Sequence, residues 1–229
     1  MSILKRKPLT LITSIFGLMT ILLGLILLSI LPSKANLSDG YRTPVIAFEF
    51  ARVESDLSFL SGTSAVSQKN RKQMVNAHSW DMVFPFAYGG LLFLLLLGLF
   101  FNGFRLAALG LPISLLAIYF DLVENFTLLE ILQILNSQSV VGEYLASLYP
   151  ITWLKWGSIA ICIFIISIGL FLKKEYYSFG IGVAASLTSF CCWFLSTPPL
   201  LAELMSLLIA IFFVWVSGKT FLSLRVQYK

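Results

Sequence analysis

Long apolar runs dominate the chain, and polar positions fall mostly between them. Six stretches have about the 20 consecutive apolar residues that a helix needs to cross a hydrocarbon core about 30 Å thick. They run over residues 9–31, 82–101, 106–126, 151–172, 178–196 and 200–218. Thr197-Pro198-Pro199 divides the last two, and prolines there predict a tight turn. The pattern predicts an all-α polytopic transmembrane bundle of about six spans, one membrane domain over 1–229, with a helical insertion at 32–80.

Within that insertion the period changes. Thr43 is a candidate N-cap and Pro44 a candidate first helical residue. Ile46, Phe50, Val53, Leu57 and Leu60 recur at alternating spacings of four and three, with Glu49, Arg52, Glu54 and Asp56 largely off the stripe and Gly62 as terminator. The spacing predicts an amphipathic helix of about 18 residues, about 27 Å long. Its stripe suits packing on the bundle, the headgroup layer, a lid, or docking of a second copy or a membrane-protein partner. Residues 67–81 are expected to lead helically into the second span, and Val140–Leu148 to form a short amphipathic piece before the fourth.

Composition agrees with lipid as the main solvent: 58% of the 229 residues are hydrophobic and 12% charged, with a mean hydropathy of +0.90. The net charge of +5 does not imply nucleic acid. Basic residues cluster at span ends: Lys5-Arg6-Lys7, Arg105, Lys173-Lys174, then Lys219, Arg225 and Lys229. An even number of spans puts all of these on the cytoplasmic side, so the expected orientation is N-in and C-in, with 32–80 exoplasmic. Ser33-Lys34-Ala35 is a passable signal-cleavage site, but the first apolar run exceeds the usual 7–15 residues of a signal core and is read as an uncleaved anchor. Trp80, Trp153, Trp156, Trp193 and Trp215 fall near span ends, as an aromatic belt would. Ser178, Gly182 and Ala185 permit close helix packing. Cys162, Cys191 and Cys192 lie in apolar runs and read as packing residues.

Candidate chemistry comes from ionisable residues inside the spans, each costing about 2.5–3.5 kcal/mol on insertion scales. Asp121 and Glu124 lie in the third span, Lys155 in the fourth and Glu203 in the sixth; Asp81 stands at the mouth of the second, with His78 one turn before it. Counted along the helices, Asp121 is about 8 Å from the outer boundary, Lys155 about 6 Å and Glu203 about 5 Å, which forms one exoplasmic layer. His78, Asp81, Pro85 and Tyr88 share one stripe, and Asp121, Glu124 and Asn125 share another. Carboxylates one turn apart repel, and Lys155 is their natural partner. Asp121 and Glu124 are candidates for acid, base or cation site. Asp81, Tyr88, Asn125, Lys155, Glu203 and His78 are candidate binding residues, although a histidine at a loop end is ordinarily solvated. The competing reading is a satisfied network that fixes helix register. With one histidine and no clustered cysteines, no metal site is expected, and no cofactor motif is seen.

Thr43-Pro44-Val45-Ile46-Ala47-Phe48-Glu49-Phe50-Ala51, the D-x-x-F-x-x-x-Y of Asp81–Tyr88, the D-x-x-E-N of Asp121–Asn125, and Lys155 together resemble a family of uncharacterised bacterial multi-pass membrane proteins. The resemblance covers about residues 43–160 and implies a bacterial plasma-membrane location but no activity. Three functions fit these readings: a small lipid-binding or lipid-modifying membrane protein, a proton- or cation-coupled transporter, and a non-catalytic assembly factor or complex subunit.

Overall fold

The computed structural model describes residues 7–33, 35–137 and 140–227, with side chains as far as Leu224. Lys5, Arg6, Lys34, Lys229 and the Arg225 side chain lie outside the described residues. The elements in chain order are α1 (Lys7–Ile30), α2 (Pro44–Glu49), a 3-10 turn (Glu54–Leu57), α3 (Ala65–Asp81), α4 (Phe84–Phe101), α5 (Ala107–Asn136), α6 (Gly142–Leu172), α7 (Tyr176–Phe194) and α8 (Pro199–Gln227). No strand occurs among the described residues. Six helical segments are long and apolar enough to cross a membrane, α3 and α4 counting together as one. The chain has the build of a multi-pass membrane protein.

The spans pack as a ring. α4, α5, α6, α7 and α8 each lie against the next, α1 closes the ring between α8 and α4, and α4 touches α6 across the middle. Without a hydrophobic drive between helices in lipid, small residues set how closely backbones approach. On α1, Thr10, Thr13, Ser14, Gly17 and Thr20 form the buried face, and a Cβ on Gly17 would sit 2.7 Å from Ser217 Oγ of α8. On α7, Ser178, Gly182 and Ala185 are buried, and a Cβ on Gly182 would collide with Ser167 Oγ and meet Phe212 at 2.9 Å. Leucines and isoleucines from α4, α6 and α8 fill the middle. Ser196 and Thr197 take left-handed backbone angles between α7 and α8, forming the turn that the prolines predict.

Three span boundaries differ from the hydropathy reading, and at one of them α8 continues nine residues past Gly218, to Gln227. α5 continues ten residues past Phe126, to Asn136, and α6 begins at Gly142, absorbing the piece expected at 140–148. At 1.5 Å per residue, α5 is about 45 Å long, about 15 Å more than a hydrocarbon core. Glu130, Gln133 and Asn136 lower the hydropathy there, yet Leu128, Ile131 and Leu132 keep one apolar face. Hydropathy marks where lipid ends, not where the helix ends.

Residues 35–64 cap one end of the ring. The predicted 18-residue helix is broken: α2 stops at Glu49, residues 50–53 are non-helical, and a single 3-10 turn follows. Asp56 Oδ2 accepts from the backbone N–H groups of Arg52 and Val53 at 2.9 and 3.2 Å, an Asx-type arrangement that competes with helix continuation. Ile46, Phe50, Leu57 and Leu60 are nevertheless buried, while Val53 is 55% exposed. Phe48, Leu57, Phe59 and Leu60 pack with Met74 of α3, Leu128, Ile131 and Leu132 of α5, and Leu145 and Leu148 of α6. The stripe is used within the chain.

Candidate functional site

α6 presents Thr152, Lys155 and Trp156 on one face, at i, i+3 and i+4, toward the end of α2. All three grip Glu49. Thr152 Oγ1 donates to its backbone carbonyl at 3.1 Å, Trp156 Nε1 donates to Oε2 at 2.9 Å, and Lys155 Nζ lies 2.9 Å from Oε1. The same ammonium bonds Glu124 Oε2 of α5 and sits 4.8 Å from the centre of the Trp156 ring. Glu49, Glu124 and Lys155 are 4%, 0% and 3% exposed. One ammonium thus joins two buried carboxylates from two other elements.

A second chain runs alongside. Tyr88 of α4 donates to Asp121 Oδ2 at 2.6 Å. Asn125 Nδ2 donates to Asp121 Oδ1 at 3.1 Å, and Asn125 Oδ1 lies 2.9 Å from His78 Nδ1. The spacing of Asp121, Glu124 and Asn125 along α5 sends Glu124 to Lys155 and the other two to Tyr88 and His78. The expected clash between Asp121 and Glu124 is relieved because each has its own partners. Three carboxylates, Glu49, Glu124 and Asp121, stand with one ammonium. Glu124 Oε1 and His78 Nε2 are buried without a hydrogen-bond partner. Buried polar atoms are normally paired, so such atoms ask for an explanation.

Its place at a loop end suggests a solvated ring, but His78 is 1% exposed and meets Phe48 edge-on, with centroids 5.6 Å apart. The capping segment folds over it, which a linear reading of α3 does not show. Asp81 is the last residue of α3, just before the break at Met82–Val83; its carboxylate lies 4.0 Å from His78 Nδ1 and keeps 14% exposure. It connects the interior to the side of the bundle, where Trp80, Val83 and Phe86 are exposed.

Glu203 does not join the cluster, although its depth suggests that it would. Its carboxylate accepts from the Arg42 and Thr43 N–H groups at 2.8 and 2.7 Å and from Thr43 Oγ1 at 2.5 Å. Thr43 is the N-cap of α2, but its hydroxyl serves Glu203 instead of the helix. Further on, Arg52 Nη2 donates to Tyr149 OH and to the Ser196 carbonyl, both at 2.8 Å, and the guanidinium stacks on the Tyr149 ring. Arg71 of α3 bonds the carbonyls of Leu60 and Gly62 and the side chain of Asn136. The cap is tied at both ends and in the middle. Partial burial within the cap, with the Asp56 carboxylate nearby, pushes the Tyr41 phenol up to about 12.

Glu49 and Trp156 are the members that sequence reasoning missed. Glu49 reads as an off-stripe surface charge, and Trp156 as belt. The available signal is that the unbroken polar triplet Thr152, Lys155 and Trp156 needs an acidic partner. Among the described residues, no group of three or more acidic, histidine or cysteine side chains is arranged to hold a metal ion.

The chain matches no protein-family model, and neither a curated protein nor a solved structure matches it. The chemistry of this centre therefore rests on its own atoms.

Proposed function

We propose that this multi-pass membrane protein carries an acid–base centre on the exoplasmic side that acts on, or holds, the polar head of a lipid-like molecule. The observation that carries the reading is the buried convergence of Glu49, Asp121, Glu124 and Lys155 with His78, with more carboxylates than cations and two buried polar atoms without a hydrogen-bond partner. A network that served packing alone would balance its charges and leave no acceptor empty. Proton transfer is the chemistry such groups perform when carboxylates, histidine and tyrosine share one hydrogen-bonded chain. Intramembrane ionisable groups of this kind mark ligand or proton sites.

Access is from the side. α3 and α4 break at Met82–Val83, Asp81 is partly open there, and Val83 and Phe86 offer an apolar flank for an acyl or isoprenoid chain. The surplus of carboxylate also favours proton-coupled transport. Against that second reading, the buried hydroxyls of Thr13, Ser14, Ser167 and Ser189 in the rest of the ring bond carbonyls of their own helices, so they supply no polar path onward.

Native mass spectrometry of the protein extracted from membranes tests the reading. The wild type should retain a lipid-mass adduct that Lys155→Met and Asp81→Asn lose. An absence of adduct, or equal retention in all three, would overturn it.

A further inference from the structure

The hydrogen bonds fix the state of His78 in a way that neither its position nor its burial alone does. When Asp121 is ionised it can only accept. Asn125 must therefore turn its NH2 group toward Asp121, at 3.1 Å, and its carbonyl toward His78. Tyr88 OH lies 2.6 Å from the other Asp121 oxygen and 3.4 Å from the Ala117 carbonyl, so it steadies Asp121 without setting which way Asn125 turns. A carbonyl 2.9 Å from Nδ1 requires that Nδ1 carry the hydrogen. In the neutral ring Nε2 is then a bare lone pair. It is buried and bonded to nothing.

We infer that the Asp121–Asn125 pair holds His78 as the Nδ1–H tautomer, and that Nε2 is the proton acceptor of the centre. The tautomer stands on the hydrogen bonds of Asn125 together with an ionised Asp121; the role of the acceptor rests on the acid–base reading above. Asp121 and Asn125 are then positioning residues that act through the ring, while His78 receives the proton. This moves the base from the carboxylates that sequence spacing favours to the imidazole between α3 and α5. The groups that face the ring are Asp81 on its own helix, Asn125 on α5, Phe48 and Glu49 on α2, and Lys155 on α6; Asp121 and Glu124 act on it through Asn125 and Lys155. A ligand atom that meets Nε2 must be a donor: an ammonium, a hydroxyl or an acidic C–H, not a bare anion.

His78 is the only histidine in the chain, so 15N-histidine labelling gives one ring to observe in lipid bilayers. The wild type should show a single Nδ1–H tautomer. Lowering the pH should add a proton at Nε2 with Nδ1–H retained. Tyr88→Phe leaves Asp121 accepting and should keep the tautomer. Asp121→Asn frees the Asn125 amide to turn over and should give a mixture. An Nε2–H ring, a mixture in the wild type, or no proton uptake at Nε2 before the protein unfolds would overturn the inference. The lipid adduct is read separately: its absence alongside a fixed Nδ1–H ring would sink the lipid reading and leave the tautomer standing. Retention alongside an Nε2–H ring would do the reverse.

Discussion

Replacing Lys155 with methionine keeps most of the side-chain volume and removes the charge that two buried carboxylates share. Glu49 Oε1 would lose a partner at 2.9 Å, Glu124 would lose its bonded ammonium, and both are under 5% exposed. Breaking a buried pair by removing one partner costs about 3–5 kcal/mol, because the mate is left uncompensated. For a chain of this size about 2–4 °C of melting temperature accompanies each kcal/mol, so a fall of about 6–20 °C is expected. Tryptophan fluorescence in detergent is a suitable assay, since Trp156 bonds Glu49 and stacks near the ammonium. The triple variant Glu49→Gln, Glu124→Gln, Lys155→Met removes the stranded charges and should recover most of the loss, since neutral replacements of a whole buried network are often tolerated. A melt for Lys155→Met that coincides with the wild type would refute the reasoning, because it would mean that the three groups are not coupled.

Glu203→Ala removes three hydrogen bonds to residues 42 and 43 and should destabilise by about 2–3 kcal/mol, with bonds to a charged group worth about 1.5–3 kcal/mol each but overlapping here. Limited proteolysis should then cut at Arg42 and Arg52 while the spans stay intact; an unchanged cleavage pattern would mean that the capping segment does not depend on this tie. Gly182→Val drives a side chain into Ser167 and Phe212 and should cost at least the 1–3 kcal/mol typical of overpacking, read as a lower melting temperature. A neutral result would show that α7 does not approach α6 and α8 that closely.

Six apolar runs were enough to find the six spans, because length and hydropathy decide whether a segment can cross a bilayer. The joint face of Asp121, Glu124 and Asn125 was legible for the same local reason: a helix fixes which residues lie one turn apart. The role of Glu49 was not legible. The alternation from Ile46 to Leu60 fits one helix, but Asp56 claims the backbone N–H groups of Arg52 and Val53, and the chain turns. That turn brings Phe48 over His78 and Glu49 onto Lys155. Burial of His78 and the destination of Glu203 both depend on this long-range fold-back, which no local period encodes. Depth along a helix placed Glu203 near the cluster's level but could not say which way around the ring it faces.

The central claim is that the charges of this centre are retained for chemistry and not for packing, and Glu124→Gln tests it most directly. Glu49 alone would balance Lys155, so Glu124 is the surplus acid, and one of its oxygens already lacks a partner. The melting temperature should equal or exceed that of the wild type, as is common where a site is kept at the expense of stability. A fall as large as that of Lys155→Met would show that Glu124 is needed to hold the fold, and the centre would then be a structural network.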